Sequence, residues 1–265
     1  MSKQQYISYR ESNIFYRVEG KGQPVILLHG FGETGDVWNE WKQPLLSQYS
    51  LIIPDLPGFG SGDLPSDTLT IPSIADMIKA IIDQETSHEP VMIGHSMGGY
   101  VTLAFEEKYP ATLSRLGLFH STAEADTEEK RQNRQKAIRF IEQKGPELFV
   151  EEFIPNLFAP SFVENRQDVV HNMTERAKQL PADALIASYK AMMDRPSTKH
   201  VLDRTTKPVL FISGREDNIV PYREVLHQSL LPRVSAINLF RDIGHMGMIE
   251  NPKATQAAVL QFMAL

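Results

Sequence analysis

Cysteine is absent from this chain of 265 residues. Its absence excludes disulfide bridges, thiolate metal sites and a thiol nucleophile. Long apolar runs are missing too. None approaches the roughly 18 residues that a membrane-crossing helix needs, so no membrane span is expected. The opening residues Met1-Ser2-Lys3-Gln4-Gln5-Tyr6 hold no apolar core of the secretory kind, and the expectation is a cytoplasmic protein. Positive charge is scarce, with 27 Lys and Arg against 33 Asp and Glu for a net charge of −6, which leaves no basic footprint for nucleic acid. Repeats and low-complexity tracts are lacking. His88, His120, His171, His200 and His227 are scattered without metal-ligand spacing. No metal and no organic cofactor are implied.

What is present is an ordinary globular composition, 42% hydrophobic and 23% charged. The length accommodates one large α/β domain with an insertion. Residues 6–9 and 14–18 alternate apolar and polar around Glu11-Ser12-Asn13 and read as a starting hairpin. Short apolar runs follow at 25–28, 51–53, 91–93, 116–119, 209–212 and 236–240, each reading as a strand. Between them Ile71, Ile74, Ala75, Ile78, Ile81 and Ile82 recur at helical spacing and give one apolar face to the core. Alternating strands and helices imply a mainly parallel central sheet covered on both faces. From 121 to 200 the strand pattern stops. That stretch reads as a helical cap, or lid, over the carboxyl edge of the sheet, where open α/β folds place ligands. The expected division is a core domain of 1–120 and 201–265 with a cap of 121–200.

Within this frame one turn stands out. Gly94-His95-Ser96-Met97-Gly98 lies between the strand run Val91-Met92-Ile93 and the helical pattern that opens at Gly99. A serine between glycines at a strand-to-helix turn is a nucleophile elbow, which exposes the hydroxyl at the strand's carboxyl end. A serine hydroxyl needs a base, and the base needs an orienting group. In this arrangement they follow in the order Ser, Asp or Glu, then His. Asp217 occupies the loop after the 209–212 strand, and His245 the loop after the last strand.

Four separated blocks carry a resemblance over nearly the whole chain: His29-Gly30-Phe31-Gly32 with Trp38; Asp55 to Gly60; Gly94 to Gly98; and Gly214 to Pro221 with Gly244-His245. The chain resembles the α/β-hydrolases of the serine carboxylesterase type, with small-ester esterases and enol-lactonases nearest. The resemblance implies the α/β-hydrolase fold and a catalytic set of Ser96, Asp217 and His245. Adjacent Glu216 is a second candidate for the acid, which relatives place at the position of Asp217. Glu124 and Asp126 are weaker ones. It also implies an oxyanion hole from the N–H groups of Phe31 and Met97, with His29 bracing its loop. His120, ending a strand, is expected to line the cleft. Gly62 stands where relatives often carry Ser.

A rival motif lies in the same region. Gly30-Phe31-Gly32-Glu33-Thr34-Gly35 is literally Gly-x-Gly-x-x-Gly after a strand, with Asp55 about twenty residues on, the pattern of a dinucleotide site. It leaves the elbow and both partner loops unexplained. Its helix would also begin within the glycines, whereas the helical stretch holding Trp38, Trp41 and Leu45 starts after Gly35 and meets Pro44.

The expected activity is hydrolysis of a small carboxylic ester, lactone or thioester through an acyl-enzyme, and carbon–carbon bond hydrolase and perhydrolase chemistries share the same three groups. A non-catalytic small-molecule-binding protein is the reading from another class. Phe149, Phe153, Phe158, Met192 and Met193 are the candidates for the substrate pocket, competing with simple packing of cap on core.

Overall fold

A computed structural model describes residues 3–265. Met1 and Ser2, the start of the expected core range, lie outside the described residues. The chain opens with β1 (Lys3–Tyr9) and β2 (Ser12–Gly20), an antiparallel pair that sets Tyr6 opposite Phe15. Then come β3 (Gln23–Leu28), β4 (Tyr49–Pro54), β5 (Val91–His95), β6 (Arg115–Phe119), β7 (Val209–Gly214) and β8 (Ser235–Phe240). The strands form one sheet in the order β1-β2-β4-β3-β5-β6-β7-β8. β2 meets β4 antiparallel, and every later pairing is parallel.

Consecutive side chains on a strand point to opposite faces. In β5 and β7 every residue is buried, so both faces of the sheet centre are covered. That is why these strands read as continuous apolar runs. β8 lies at an edge and is only half-buried. Helix α1 (Ile71–Glu85) turns its isoleucine stripe inward and begins at a capping box between Thr70 and Ser73. Helix α2 (Met97–Lys108) starts directly at the end of β5 and packs on α1.

Two stretches bear on the site. The helix expected around Trp38, Trp41 and Leu45 is instead two 3₁₀ turns, Gly35–Trp38 and Gln43–Leu45. Pro44 has no N–H to donate and obstructs a continuous helix. The tryptophans are held by tertiary contacts: their rings meet edge-on at 5.1 Å, and Trp41 Nε1 donates to Thr255 Oγ1 at 2.9 Å.

Between β6 and β7 the described chain is helical without a strand. It comprises α3 (Glu128–Lys144), α4 (Pro146–Phe153), α5 (Pro160–Asn165), α6 (Gln167–Ala177), α7 (Ala182–Asp194) and α8 (Lys199–Arg204). α8 runs across residue 200, where the cap was expected to end. In α3 only Ile138 and Ile141 are buried, and its charged residues form a face that is largely in solvent. Helices α9 (Tyr222–Gln228), α10 (Gly247–Glu250) and α11 (Pro252–Met263) complete the chain, with α9 and α11 packed on β7.

Candidate active site

Because β5 to β8 run parallel, their carboxyl ends share one edge, and the loops leaving that edge carry the chemistry-bearing residues. Ser96 follows β5 with φ 50° and ψ −114°, a backbone that non-glycine residues rarely adopt. The surroundings hold it there. Ser96 N–H donates to Phe119 O at 3.0 Å, and Ser121 Oγ–H donates to Ser96 O at 2.7 Å. The flanking glycines are obligatory for space. A Cβ on Gly94 would lie 2.1 Å from Gly98 O, and one on Gly98 would lie 2.7 Å from His29 O.

His245 lies in the loop after β8, its N–H bonded to Leu157 O at 2.7 Å. Its Nδ1 is 2.9 Å from Asp217 Oδ2. An ionised carboxylate only accepts, so Nδ1 carries the proton and Nε2 is left as the basic nitrogen. Asp217 is buried and accepts three further hydrogen bonds: from Ile219 N–H at 2.9 Å, Val220 N–H at 2.8 Å and His120 Nδ1 at 3.0 Å. Burial alone would raise its pKa. The charge of His245 and the bonds from His120 and His245 outweigh that and hold it well below the usual carboxylate range. Glu216 is partly exposed, Glu124 pairs with Lys199, and Asp126 pairs with Arg134 and Arg195. None of these three carboxylates holds His245.

His120 departs from expectation. It does not wall the cleft but is fully buried behind Asp217, at φ 50°. Burial pushes its pKa down to about 4, against the pull of Asp217. It is therefore a neutral donor through Nδ1, and its Nε2 has no hydrogen-bond partner among the described residues. One nitrogen or oxygen from each of His120, Asp217 and His245 lies within 4.8 Å of the others, a separation that a cation could bridge. Both Nδ1–H groups already point at the carboxylate and fill that place.

A second buried pair escaped the sequence reading. His95 Nδ1 lies 3.1 Å from the Glu33 carboxylate, and His95 Nε2 donates to the carbonyl of His245 at 3.0 Å. Acceptors on both sides favour the imidazolium. Burial opposes the charge, but Glu33 overcomes it and the pKa of His95 is raised. Glu33 also accepts Gly30 N–H at 2.8 Å, so the pair ties the glycine-rich loop to the His245 loop. The only signal in the sequence was position: His95 inside the elbow and Glu33 inside the glycine run.

No α-helix starts in the described glycine-rich loop; only the short 3₁₀ turn begins there, at Gly35. Asp55 is fully occupied, Oδ1 by Gly35 N–H at 2.8 Å and Oδ2 by Ser61 N–H at 2.9 Å. The dinucleotide reading fails on both counts. His29 Nε2 accepts Leu56 N–H at 2.8 Å and joins the two loops. Phe31 shares the cavity wall with Ser96, Met97 follows Ser96 directly in the chain, and neither backbone N–H has a hydrogen-bond partner among the described residues.

Ser96 and His245 open into one cavity of about 240 Å³. Phe31 walls it, stacked on Tyr189 at 4.2 Å and edge-on to Phe153 at 5.5 Å. Of the expected pocket residues, Phe153 and Met192 reach the wall; Phe149, Phe158 and Met193 do not. Phe149 stacks behind Phe153 at 5.2 Å, and Phe158 stacks on Phe162 at 5.2 Å. Met193 is buried, and its carbonyl accepts from Arg131. Membership of the cap's aromatic and methionine cluster nominated all five side chains but could not say which of them the cavity would meet.

A family model described as the alpha/beta hydrolase fold matches residues 23–252. The solved structure of a thermophilic esterase from Thermogutta terrifontis, with malate bound, has a TM-score of 0.92 and 26% identity, covering 99% of this chain and 98% of that one. An enol-lactonase from Burkholderia xenovorans shares the fold with a TM-score of 0.90 at 17% identity, covering 98% of this chain and 100% of that one. Esterases and enol-lactonases are the proteins that the motifs resembled. Among curated relatives, the 2-hydroxy-6-oxo-2,4-heptadienoate hydrolase of Pseudomonas putida is 26% identical over 92% of this chain and 90% of its own length. An uncharacterised protein of Mycobacterium tuberculosis is 29% identical over 101 residues, and the match spans only 30% of that relative's length.

Proposed function

This chain belongs to the alpha/beta hydrolase fold family, and from that premise we propose that it is a serine hydrolase of a small carboxylic ester or lactone. The observation that carries the reading is one cavity walled by both Ser96 and His245, with His245 fixed on buried Asp217. Ser96 attacks the acyl carbon while His245 Nε2 takes its proton. The oxyanion forms between the N–H groups of Phe31 and Met97, whose bonds to it stabilise the charge that develops on attack. His245 then returns the proton to the leaving alcohol, and a water activated by the same nitrogen resolves the acyl-enzyme. Asp217 keeps the ring in the tautomer that makes Nε2 the base and stabilises the imidazolium formed in each step. The helical segment of 121–200 acts as a cap that supplies the apolar wall through Phe153 and Met192.

A fluorophosphonate probe tests this directly. The wild type is expected to label at one site and to hydrolyse short acetate esters. Ser96→Ala is expected to lose both while keeping its circular dichroism spectrum and melting temperature. A wild type that stays unlabelled, yet binds small esters, would mark the protein as a non-catalytic binder on this fold.

A further inference from the structure

One part of the cavity wall is cationic beyond what its acids neutralise. Lys130 and Arg134 lie one turn apart on α3, and both reach the cavity. Lys130 Nζ is 3.3 Å from Glu224, a one-to-one pair. Arg134 is different. Its Nε lies 2.6 Å from one oxygen of Asp126 and its Nη2 3.4 Å from the other, but that second oxygen is held more closely by Arg195 Nη1, at 2.8 Å. One fully buried carboxylate thus serves two guanidinium groups and leaves a single positive charge over. Arg195 is otherwise satisfied, stacked 3.8 Å over the Tyr100 ring and bonded to the carbonyls of Met192 and Glu124. The surplus therefore falls on Arg134. Elsewhere on the wall, Glu33 is paired with His95, and Asp217 is not a wall residue: it is buried behind His245 with its carboxylate taken up by four hydrogen bonds.

The hydrogen bonds of Arg134 point the same way. Its Nη1 has Met192 Sδ as its partner, at 3.4 Å. A thioether is a weak acceptor, and Arg134 and Met192 are both wall residues of the cavity. A charged N–H group that meets only a sulfur at a cavity surface is suited to a carboxylate, which would supply a charge-assisted bond in its place. Asn133 adds an amide to the same wall.

We propose that this edge of the cavity is a carboxylate subsite, and that the ester or lactone taken by the protein carries a second, ionised carboxyl group bound by Arg134 and Lys130. The proposal rests on the serine-hydrolase reading for the bond that is cleaved. The subsite itself rests on the charges and contacts of α3. A cavity of about 240 Å³ is below the usual ~300–1,000 Å³ of ligand pockets, which suits a short dicarboxylate half-ester.

Two pairs of substrates matched in shape test it, one pair for each side of the ester. Monomethyl glutarate is compared with methyl 4-carbamoylbutanoate, and acetoxyacetate with 2-acetoxyacetamide. In at least one pair the anion is expected to have a kcat/KM about ten-fold or more above that of the amide. The ratio is expected to fall to near one in Arg134→Met and to recover in part in Arg134→Lys. Equal values within both pairs for the wild type overturn the subsite, as does a preference that survives Arg134→Met and Lys130→Met. Should Arg134→Met fail to fold, competition on the wild type decides: glutarate is expected to inhibit far more strongly than glutaramide, and equal inhibition overturns the proposal. Fluorophosphonate labelling of the same preparations separates the two readings. Labelled protein without a charge preference sinks the subsite and leaves the hydrolase standing. Unlabelled protein that binds glutarate but not glutaramide does the reverse.

Discussion

Ser96 occupies a backbone conformation that a free serine would avoid, and its neighbours enforce it. Glycine at 94 and 98 leaves room for two backbone segments to approach closer than any Cβ would permit. The cost of such a conformation is of order 1–3 kcal/mol, offset here by the bond that Ser96 N–H donates to Phe119 and the one its carbonyl accepts from Ser121. The same scale separates two adjacent acids. Asp217 accepts from four donors, whereas Glu216 is partly exposed and bonds through its backbone to Ile243. Asp217→Asn is expected to lower kcat by roughly 10⁴, because an amide at that place favours the wrong tautomer of His245. Glu216→Gln is expected to change kcat less than about two-fold, the usual scale of surface changes. Steady-state kinetics on both variants checks the assignment, and a crippled Glu216→Gln with an active Asp217→Asn would reverse it.

At the scale of elements, the cavity forms where the helices between β6 and β7 meet the loops after the strands. Its apolar side is a layered aromatic set: Phe31 and Phe153 face the space, and Phe149 backs Phe153. Layering gives these residues different jobs. Phe153→Ala and Met192→Ala are expected to shift the preferred acyl length by one or two carbons, each methylene being worth about 1–3 kcal/mol in a fitted pocket. Phe149→Ala and Phe158→Ala are expected to leave that profile alone and to cost about 3–5 kcal/mol of stability, as for other buried phenylalanines. Chain-length profiles and thermal melts on the four variants separate wall from backing. A profile that moves in Phe158→Ala and not in Phe153→Ala would invert the layering.

For the whole molecule, the buried histidines couple folding to pH in opposite directions. His120 titrates at about 4 in the fold and near 6.5 in an unfolded chain. Between those values the unfolded chain holds the extra proton, so stability falls as pH is lowered from about 6.5 to about 4, by roughly 3 kcal/mol for this group. Asp217, depressed in the fold, adds its own loss only below about pH 3.9, the unfolded value. His95, raised in the fold, contributes stability that is complete below about 6.5 and is lost as pH rises through its folded value. The stability maximum is thus expected near pH 6.5. Urea unfolding of His120→Asn, which keeps a donor for Asp217, is expected to show a flatter acid limb than the wild type between pH 6.5 and 4. Parallel limbs would remove His120 from that role.

The sequence by itself determined the sheet, the tight turn at Ser96 and the order in which Ser96, Asp217 and His245 follow the strands, because each is a local matter. Apolar runs of strand length declare buried parallel strands. Glycines around a serine declare a tight turn, whatever the rest of the chain does. Local pattern even nominated Phe31, Met97, Asp217 and His245, which follow β3, β5, β7 and β8 at one sheet edge. What it could not reach were contacts between side chains distant in sequence. His120 faces Asp217 across 97 positions, His95 faces Glu33 across 62, and Arg195 shares Asp126 with Arg134 across 69. In each case a charge or proton is settled by a partner brought close only when the sheet and the helices pack. Pairing energies in a desolvated interior depend on ångström-scale distance and on burial, and neither is a property of residue order. For the same reason the glycine-rich loop and Asp55 could imitate a dinucleotide site on paper, while in the fold the carboxylate of Asp55 stitches its own loops together.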